Sequence, residues 1–312
     1  MIKMKNILYN KTPLFQSHKL KLAYSIHVKY KMECFQPTGS FKIRGMSILL
    51  ESLIAEGHSE FIGSSGGNAG YSLAYAGKKL GADIKVVIPE SGSPYMINKI
   101  KLMGADVEIY GKDWDETHSY TSALSKKLNI PYIPPFDHPL LWKGHSSIID
   151  ECALEMQEPD KIVVAVGGGG LLCGILEGMK RNKWFKAQVI TAETEGAASF
   201  AKSLKAGKVV ELDEIQTIAT SLGAKKVAQQ SLEYASSFNI KPYIASDKDA
   251  FTACEEFFDE YHTLVEPACG AAISYVLSPE NEIKEGEVVL VIVCGGVNMG
   301  LEKFHEYKNK FA

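Results

Sequence analysis

From about residue 60 onward the chain alternates short runs of β-branched and other apolar residues with stretches whose apolar positions recur at helical spacing. Residues 61–62 lead through a glycine-rich turn into a helical pattern at 71–80, followed by an apolar strand at 85–89. Helix, strand, helix and strand follow at 94–103, 107–110, 115–128 and 132–133. This βαβ repetition, with strands apolar on both faces, predicts a parallel sheet covered by helices on each side. A proline-rich crossing at 133–139 breaks the rhythm, as a passage between lobes would. Alternation then resumes with a strand at 162–166, a helix at 171–179 and a strand at 189–191. A long amphipathic helix at 251–261 and a fully apolar strand at 288–293 complete it. The prediction is an α/β architecture of two lobes with a ligand cleft between them.

Composition narrows the partners. A chain of 312 residues can bury a sizeable core, and 46% hydrophobic with 23% charged residues is ordinary for a globular protein. A formal net charge of −3, without any run of Lys or Arg, gives nucleic acid nothing to hold. No apolar stretch nears the ~20 residues that span a bilayer. Residues 1–6 run on without an apolar signal core or cleavage site, so the expected location is the cytoplasm. The six cysteines, at 34, 152, 173, 254, 269 and 294, form no CxxC pair. They read as reduced core thiols, and their spacing supports no tetrahedral zinc site.

Four segments carry chemistry. In Pro37-Thr38-Gly39-Ser40-Phe41-Lys42, the hydroxyl of Thr38 or Ser40 can cap a helix whose first turn holds Lys42. The positive end of the helix dipole disfavours a charged amine there, and a neutral lysine can form a Schiff base with a carbonyl. In Gly167-Gly168-Gly169-Gly170-Leu171, four glycines between an apolar strand and a helix expose successive amides, a cradle for phosphate. A dinucleotide-binding turn fits poorly. Glu193 stands where its acidic residue would be, but Cys173 occupies the third glycine position, and no Lys-Ser or Lys-Thr pair follows to make a P-loop. In Ser64-Ser65-Gly66-Gly67-Asn68-Ala69-Gly70, small hydroxyls and bare amides at a helix start suit a carboxylate, or simply cap the helix. The Asn68 amide can also pair with a ring hydroxyl. Finally, Cys294-Gly295-Gly296 ends an apolar strand with a thiol beside a turn that a ligand can approach closely. Such a thiol is an inert core residue, or a weak neutral partner for a heteroaromatic nitrogen.

Together these segments resemble the fold-type II pyridoxal-phosphate enzymes, and among them the short L-serine/L-threonine dehydratases. The resemblance also takes in Pro134-Pro135-Phe136-Asp137, Leu141-Trp142-Lys143-Gly144-His145 and Val265-Glu266-Pro267-Ala268-Cys269-Gly270. It implies two open, mostly parallel twisted sheets with flanking helices, as in the β subunit of tryptophan synthase. A small domain at 37–138 would carry the Schiff-base lysine and the substrate carboxylate loop. A large cofactor-binding domain would combine 1–36 with 139–312.

The resemblance further implies the role of each residue. Lys42 would carry pyridoxal 5'-phosphate and then remove the substrate Cα proton, with Ser65 the second catalytic candidate. Phe41 would lie against the pyridine ring, and Gly167, Gly168, Gly169, Gly170 and Leu171 would hold the phosphate. Ser65, Gly66, Gly67 and Asn68 would bind the substrate carboxylate, Asn68 also meeting the ring hydroxyl. Cys294 would face the ring nitrogen, leaving it largely neutral and favouring β-elimination. Glu193, Ala197, Ser199, Leu222 and Ala224 match the positions that hold a monovalent cation such as potassium, although a plain strand-end carboxylate would look the same at 193.

The implied reaction is deamination of L-serine to pyruvate, or of L-threonine to 2-oxobutanoate, each with release of ammonia, by a homodimer acting on small amino acids. A β-replacement synthase and a serine racemase are the alternatives. Related racemases place a serine where this chain has Gly66, and glycine cannot reprotonate the opposite face of the ring. Since Ala312 follows shortly after Gly296, no separate regulatory domain and no isoleucine feedback are expected.

Overall fold

The structure, a computed structural model, describes residues 7–312. Residues 1–6, read above for a missing signal core, lie outside the described residues. The chain runs β1 (Leu14–Gln16), α1 (His18–Tyr24), β2 (His27–Lys31), α2 (Lys42–Ala55), β3 (Glu60–Ser64), α3 (Asn68–Leu80) and β4 (Asp83–Ile88). It continues through α4 (Pro94–Leu102), β5 (Asp106–Ile109), α5 (Trp114–Leu128), β6 (Tyr132–Ile133) and α6 (Pro139–Ala153). Then come β7 (Lys161–Ala165), α7 (Gly170–Arg181), β8 (Gln188–Thr194), α8 (Ser199–Ala206), α9 (Gln229–Ala235) and β9 (Ile240–Ala245). The last elements are α10 (Asp247–Tyr261), α11 (Pro267–Leu277), β10 (Val288–Ile292) and α12 (Leu301–Phe311).

These elements form two compact units. One comprises residues 7–10 with Gln36–Gly144, and the other Lys11–Phe35 with His145–Ala312. The first holds a four-stranded, all-parallel sheet in the order β5-β4-β3-β6. The second holds six strands in the order β1-β2-β10-β7-β8-β9, parallel except for the antiparallel edge strand β1. Both sheets are the mostly parallel α/β layers expected from the alternating pattern.

The central strands explain why that pattern is legible. Every residue of β7 is buried, and Val163 and Val164 are fully so. Each such side chain contributes about 1.5–3 kcal/mol relative to exposure. The amphipathic helix α10 packs Phe251 into a cluster with Ile218, Met299, Phe304 and Tyr307. Helices with purely structural duties close their own ends, with Ser17 accepting from Leu20 N, Asp113 from Glu116 N and Ser246 from Asp249 N.

By contrast, β2 reads as polar (His27-Val28-Lys29-Tyr30-Lys31) yet lies inside the larger sheet. Lys31 is 1% exposed because its ammonium donates to Thr12 O at 2.7 Å and pairs with Glu151 Oε2 at 2.6 Å. Breaking such a pair costs about 3–5 kcal/mol.

Candidate active site

Within the first unit, Lys42 is the first residue of α2. Its Nζ donates to the Pro135 carbonyl at 2.6 Å and sits 5.0 Å from the centre of the Phe41 ring. The expected cap differs. Phe41 already has helical dihedrals (φ −56°, ψ −21°) and no side chain caps the helix. Thr38 Oγ1 instead accepts from Ser72 Oγ of α3 at 3.0 Å. Ser40 Oγ is buried and makes no hydrogen bond, an orphaned polar atom two residues before the lysine.

The loop from Ser65 to Asn68 joins the end of β3 to α3. Gly67 is the N-cap and offers no side chain to the first turn. Gly67 N–H donates to Ser65 Oγ at 3.3 Å. Among the described residues, the amide hydrogen of Gly66 meets no acceptor. Asn68 is buried at the first helical position. Gly66 is dictated by packing, since a Cβ there would lie 2.6 Å from Ile88 Cγ2.

Within the second unit, the strand-turn-helix of β7 and α7 places the four glycines. Gly169, at φ +86°, is the N-cap of α7 and supplies no capping side chain. A Cβ at Gly169 would sit 2.9 Å from Ser231 Cβ, and one at Gly167 would sit 2.9 Å from Ser221 O. The fold is therefore built around bare backbone at both positions. Gly168 O is occupied by Ala228 N–H at 3.0 Å. Among the described residues, the amide hydrogens of Gly167, Gly168, Gly169, Gly170 and Leu171 meet no acceptor. They end a 12-residue helix whose dipole favours an anion. A hollow lined by Thr220, Ser221, Glu266, Asn298 and Lys303 adjoins this turn through Ser221.

Cys294 follows β10 and is 4% exposed. Its sulfur lies 3.2 Å from Cys269 Sγ on α11. The Cys269 thiol donates to Gly295 O at 2.7 Å, and its sulfur accepts from Gly295 N–H at 3.0 Å. Burial pushes the Cys269 thiol well up, and burial also raises Cys34 to about 12. All six cysteines are free, and five are buried.

Glu193 ends up fully buried in β8. Its carboxylate accepts from Phe200 N–H and Ala201 N–H, each at 2.8 Å, and so caps α8. Burial nevertheless pushes its pKa up to about 7, with those two backbone bonds pulling the other way. Ala197 and Ser199 lie within the same short segment, and Ser199 Oγ is buried without a hydrogen bond. Leu222 belongs to a different turn, where its carbonyl accepts from Ala224 N–H at 2.8 Å. Among the described residues, no cluster of three or more His, Cys, Asp and Glu side chains could hold a metal ion.

Residue reading missed the partner thiol at Cys269 and an aromatic group behind the carboxylate loop. Trp114 Nε1–H donates to the Ser64 carbonyl at 2.7 Å, and Tyr132 OH meets Ser64 Oγ at 2.6 Å. The Glu-Pro-Ala-Cys-Gly run at 266–270 was a signal for the first. Nothing in the spacing of Trp114 and Tyr132 pointed to the second.

Comparison with known proteins places this geometry. The chain belongs to the family of pyridoxal-phosphate-dependent enzymes, whose model matches residues 6–295. It is 40% identical over 309 residues to the L-serine dehydratase of Dictyostelium discoideum, covering 93% of this chain and 88% of that one. It is equally 40% identical over 313 residues to the bovine (Bos taurus) L-serine dehydratase/L-threonine deaminase, covering 97% and 96%. The crystal structure of a fungal L-serine ammonia-lyase from Rhizomucor miehei superposes with a TM-score of 0.92 at 32% identity, over 98% of this chain and 99% of that one.

Proposed function

We propose that this chain deaminates L-serine to pyruvate and L-threonine to 2-oxobutanoate, releasing ammonia, as a pyridoxal-phosphate lyase. Bound, the cofactor supplies an aldehyde for the substrate amine and a conjugated ring that accepts the electron pair left at Cα. Gly167, Gly168, Gly169, Gly170 and Leu171 would hold the phosphate, and the unclaimed amides at the start of α7 support this assignment. Lys42 would hold the aldehyde at rest, with Phe41 against the ring. Once displaced by substrate, the Lys42 amine is the base that takes the Cα proton.

Ser65, Gly66, Gly67 and Asn68 would fix the substrate carboxylate through the open start of α3, and with it the direction of the Cα–H bond. Asn68 would also meet the ring hydroxyl. The observation that carries the choice of reaction is at position 294, where the sulfur's neighbour is a second thiol rather than a carboxylate. With the cofactor bound, a thiol at 294 would leave the ring nitrogen largely neutral and the electron sink shallow. Removal of the Cα proton would then be completed by loss of the β-hydroxyl, which takes up a proton and leaves as water. Hydrolysis of the resulting enamine would give the keto acid and ammonia.

A potassium ion held by Glu193 with Ala197, Ser199, Leu222 and Ala224 fits the buried carboxylate and the unbonded Ser199 hydroxyl. The reading extends to a cytoplasmic homodimer whose small domain spans 37–138. The deciding experiment incubates purified holoenzyme with L-serine and with L-threonine and measures keto acid, ammonia, D-serine and, with sulfide added, cysteine. Keto acid and ammonia in equal amounts are expected. Predominant D-serine or cysteine would replace the lyase reading.

A further inference from the structure

Ser64, the last residue of β3, is gripped from two elements at once. Its carbonyl accepts the Trp114 indole N–H from the start of α5 at 2.7 Å, and its hydroxyl meets Tyr132 OH on β6 at 2.6 Å. Tyr132 OH is held in turn by His118 Nδ1 at 2.7 Å, and the His118 ring stacks on Trp114 with centroids 4.9 Å apart. On the next residue, the Ser65 carbonyl passes so close to α3 that a Cβ at Gly70 would sit 1.8 Å from it. Ser65 thus lies between α3 and a strand end held by two side chains.

Trp114 also reaches the other reactive element of this unit. Its ring lies 6.0 Å from that of Phe136, whose carbonyl accepts Trp142 Nε1–H at 2.8 Å. Phe136 directly follows Pro135, the residue whose carbonyl holds Lys42 Nζ.

Resting on the functional reading above, we propose that Trp114 and Tyr132 are positioning residues. By fixing Ser64 they aim the Ser65–Asn68 loop at the substrate carboxylate, and through Phe136 Trp114 keeps that loop in register with Lys42. Neither side chain touches substrate in this scheme. Their effect passes through Ser64, so it should fall on binding of the carboxylate and spare proton transfer by Lys42.

Two variants separate this from a packing role: Trp114→Phe keeps an aromatic ring without the N–H, and Tyr132→Phe removes one oxygen. In the holoenzyme each should raise KM for L-serine about fivefold, as expected for one lost neutral hydrogen bond, with kcat within about twofold and cofactor content unchanged. A spectral titration of the cofactor band supplies the second readout. Affinity for glycine, which carries a carboxylate, should fall by the same factor, while affinity for 2-aminoethanol, which has none, stays put.

Unchanged KM and glycine affinity in an active enzyme would overturn the inference alone, as would equal losses for glycine and 2-aminoethanol. A wild-type enzyme that turns over neither amino acid would remove the functional reading and this inference with it. Should Trp114→Phe fail to fold, Tyr132→Phe decides the question.

Discussion

Cys269 and Cys294 meet sulfur to sulfur at 3.2 Å, with the hydrogen of Cys269 committed to Gly295 O. The Cys269 sulfur is therefore the acceptor side of the contact and orients the thiol proposed to face the cofactor ring. A carboxylate at 294 would sit buried against a neutral thiol. Cys294→Asp should lose at least tenfold in keto acid formation and about 3–5 kcal/mol of stability, the cost of an uncompensated buried charge. Cys294→Ser, which keeps a small neutral donor, should retain most of the activity. Coupled keto acid assays and denaturant melts check both.

Gly66 bears on the racemase alternative. A serine there would drive its Cβ to 2.6 Å from Ile88 Cγ2. Gly66→Ser should cost about 1–3 kcal/mol through overpacking and produce no D-serine. Gly66→Ser with Ile88→Ala should recover most of that stability. Thermal melts and chiral chromatography read the two effects separately.

Gly169 tests the anion cradle. At φ +86°, with Ser231 Cβ 2.9 Å from any added Cβ, alanine is strained and crowded. Gly169→Ala should cost about 1–3 kcal/mol and lose cofactor on dialysis that leaves the parent enzyme loaded. Absorbance of the retained cofactor provides the measurement.

Glu193 gives a pH prediction with a definite sign. Burial holds its pKa at about 7 in the folded protein, against an ordinary 4.5. Between those values the unfolded chain has released a proton that the folded chain keeps, so the group's contribution to stability falls as pH rises. Above about pH 7 the buried carboxylate is a net cost that the proposed cation would offset. Replacing tetramethylammonium with potassium should raise the melting temperature more at about pH 8 than at about pH 6. Equal shifts at both would take the cation away from Glu193.

Legibility followed burial. β7 and β10 are buried on both faces and stand out as apolar runs. The glycine turn at 167–170 and the Lys42 helix start were readable because strand, glycines and helix follow one another directly. β2 was hidden because Lys31 goes inside on the strength of Glu151, 120 residues further along the chain. The helical cap expected from Thr38 was lost to Ser72, 34 residues away. Both are long-range pairings, which local spacing does not encode. The clamp on Ser64 is of the same kind, since Trp114 is 50 residues and Tyr132 68 residues from it.

Lys42 is the amine proposed to carry the cofactor, and every other role follows from it. Reduction of the holoenzyme with borohydride, digestion and mass spectrometry should place the reduced pyridoxal phosphate on the peptide containing Lys42, and Lys42→Ala should carry none. A label on Lys143 or any other lysine, or a Lys42→Ala protein that still traps the cofactor, would contradict it.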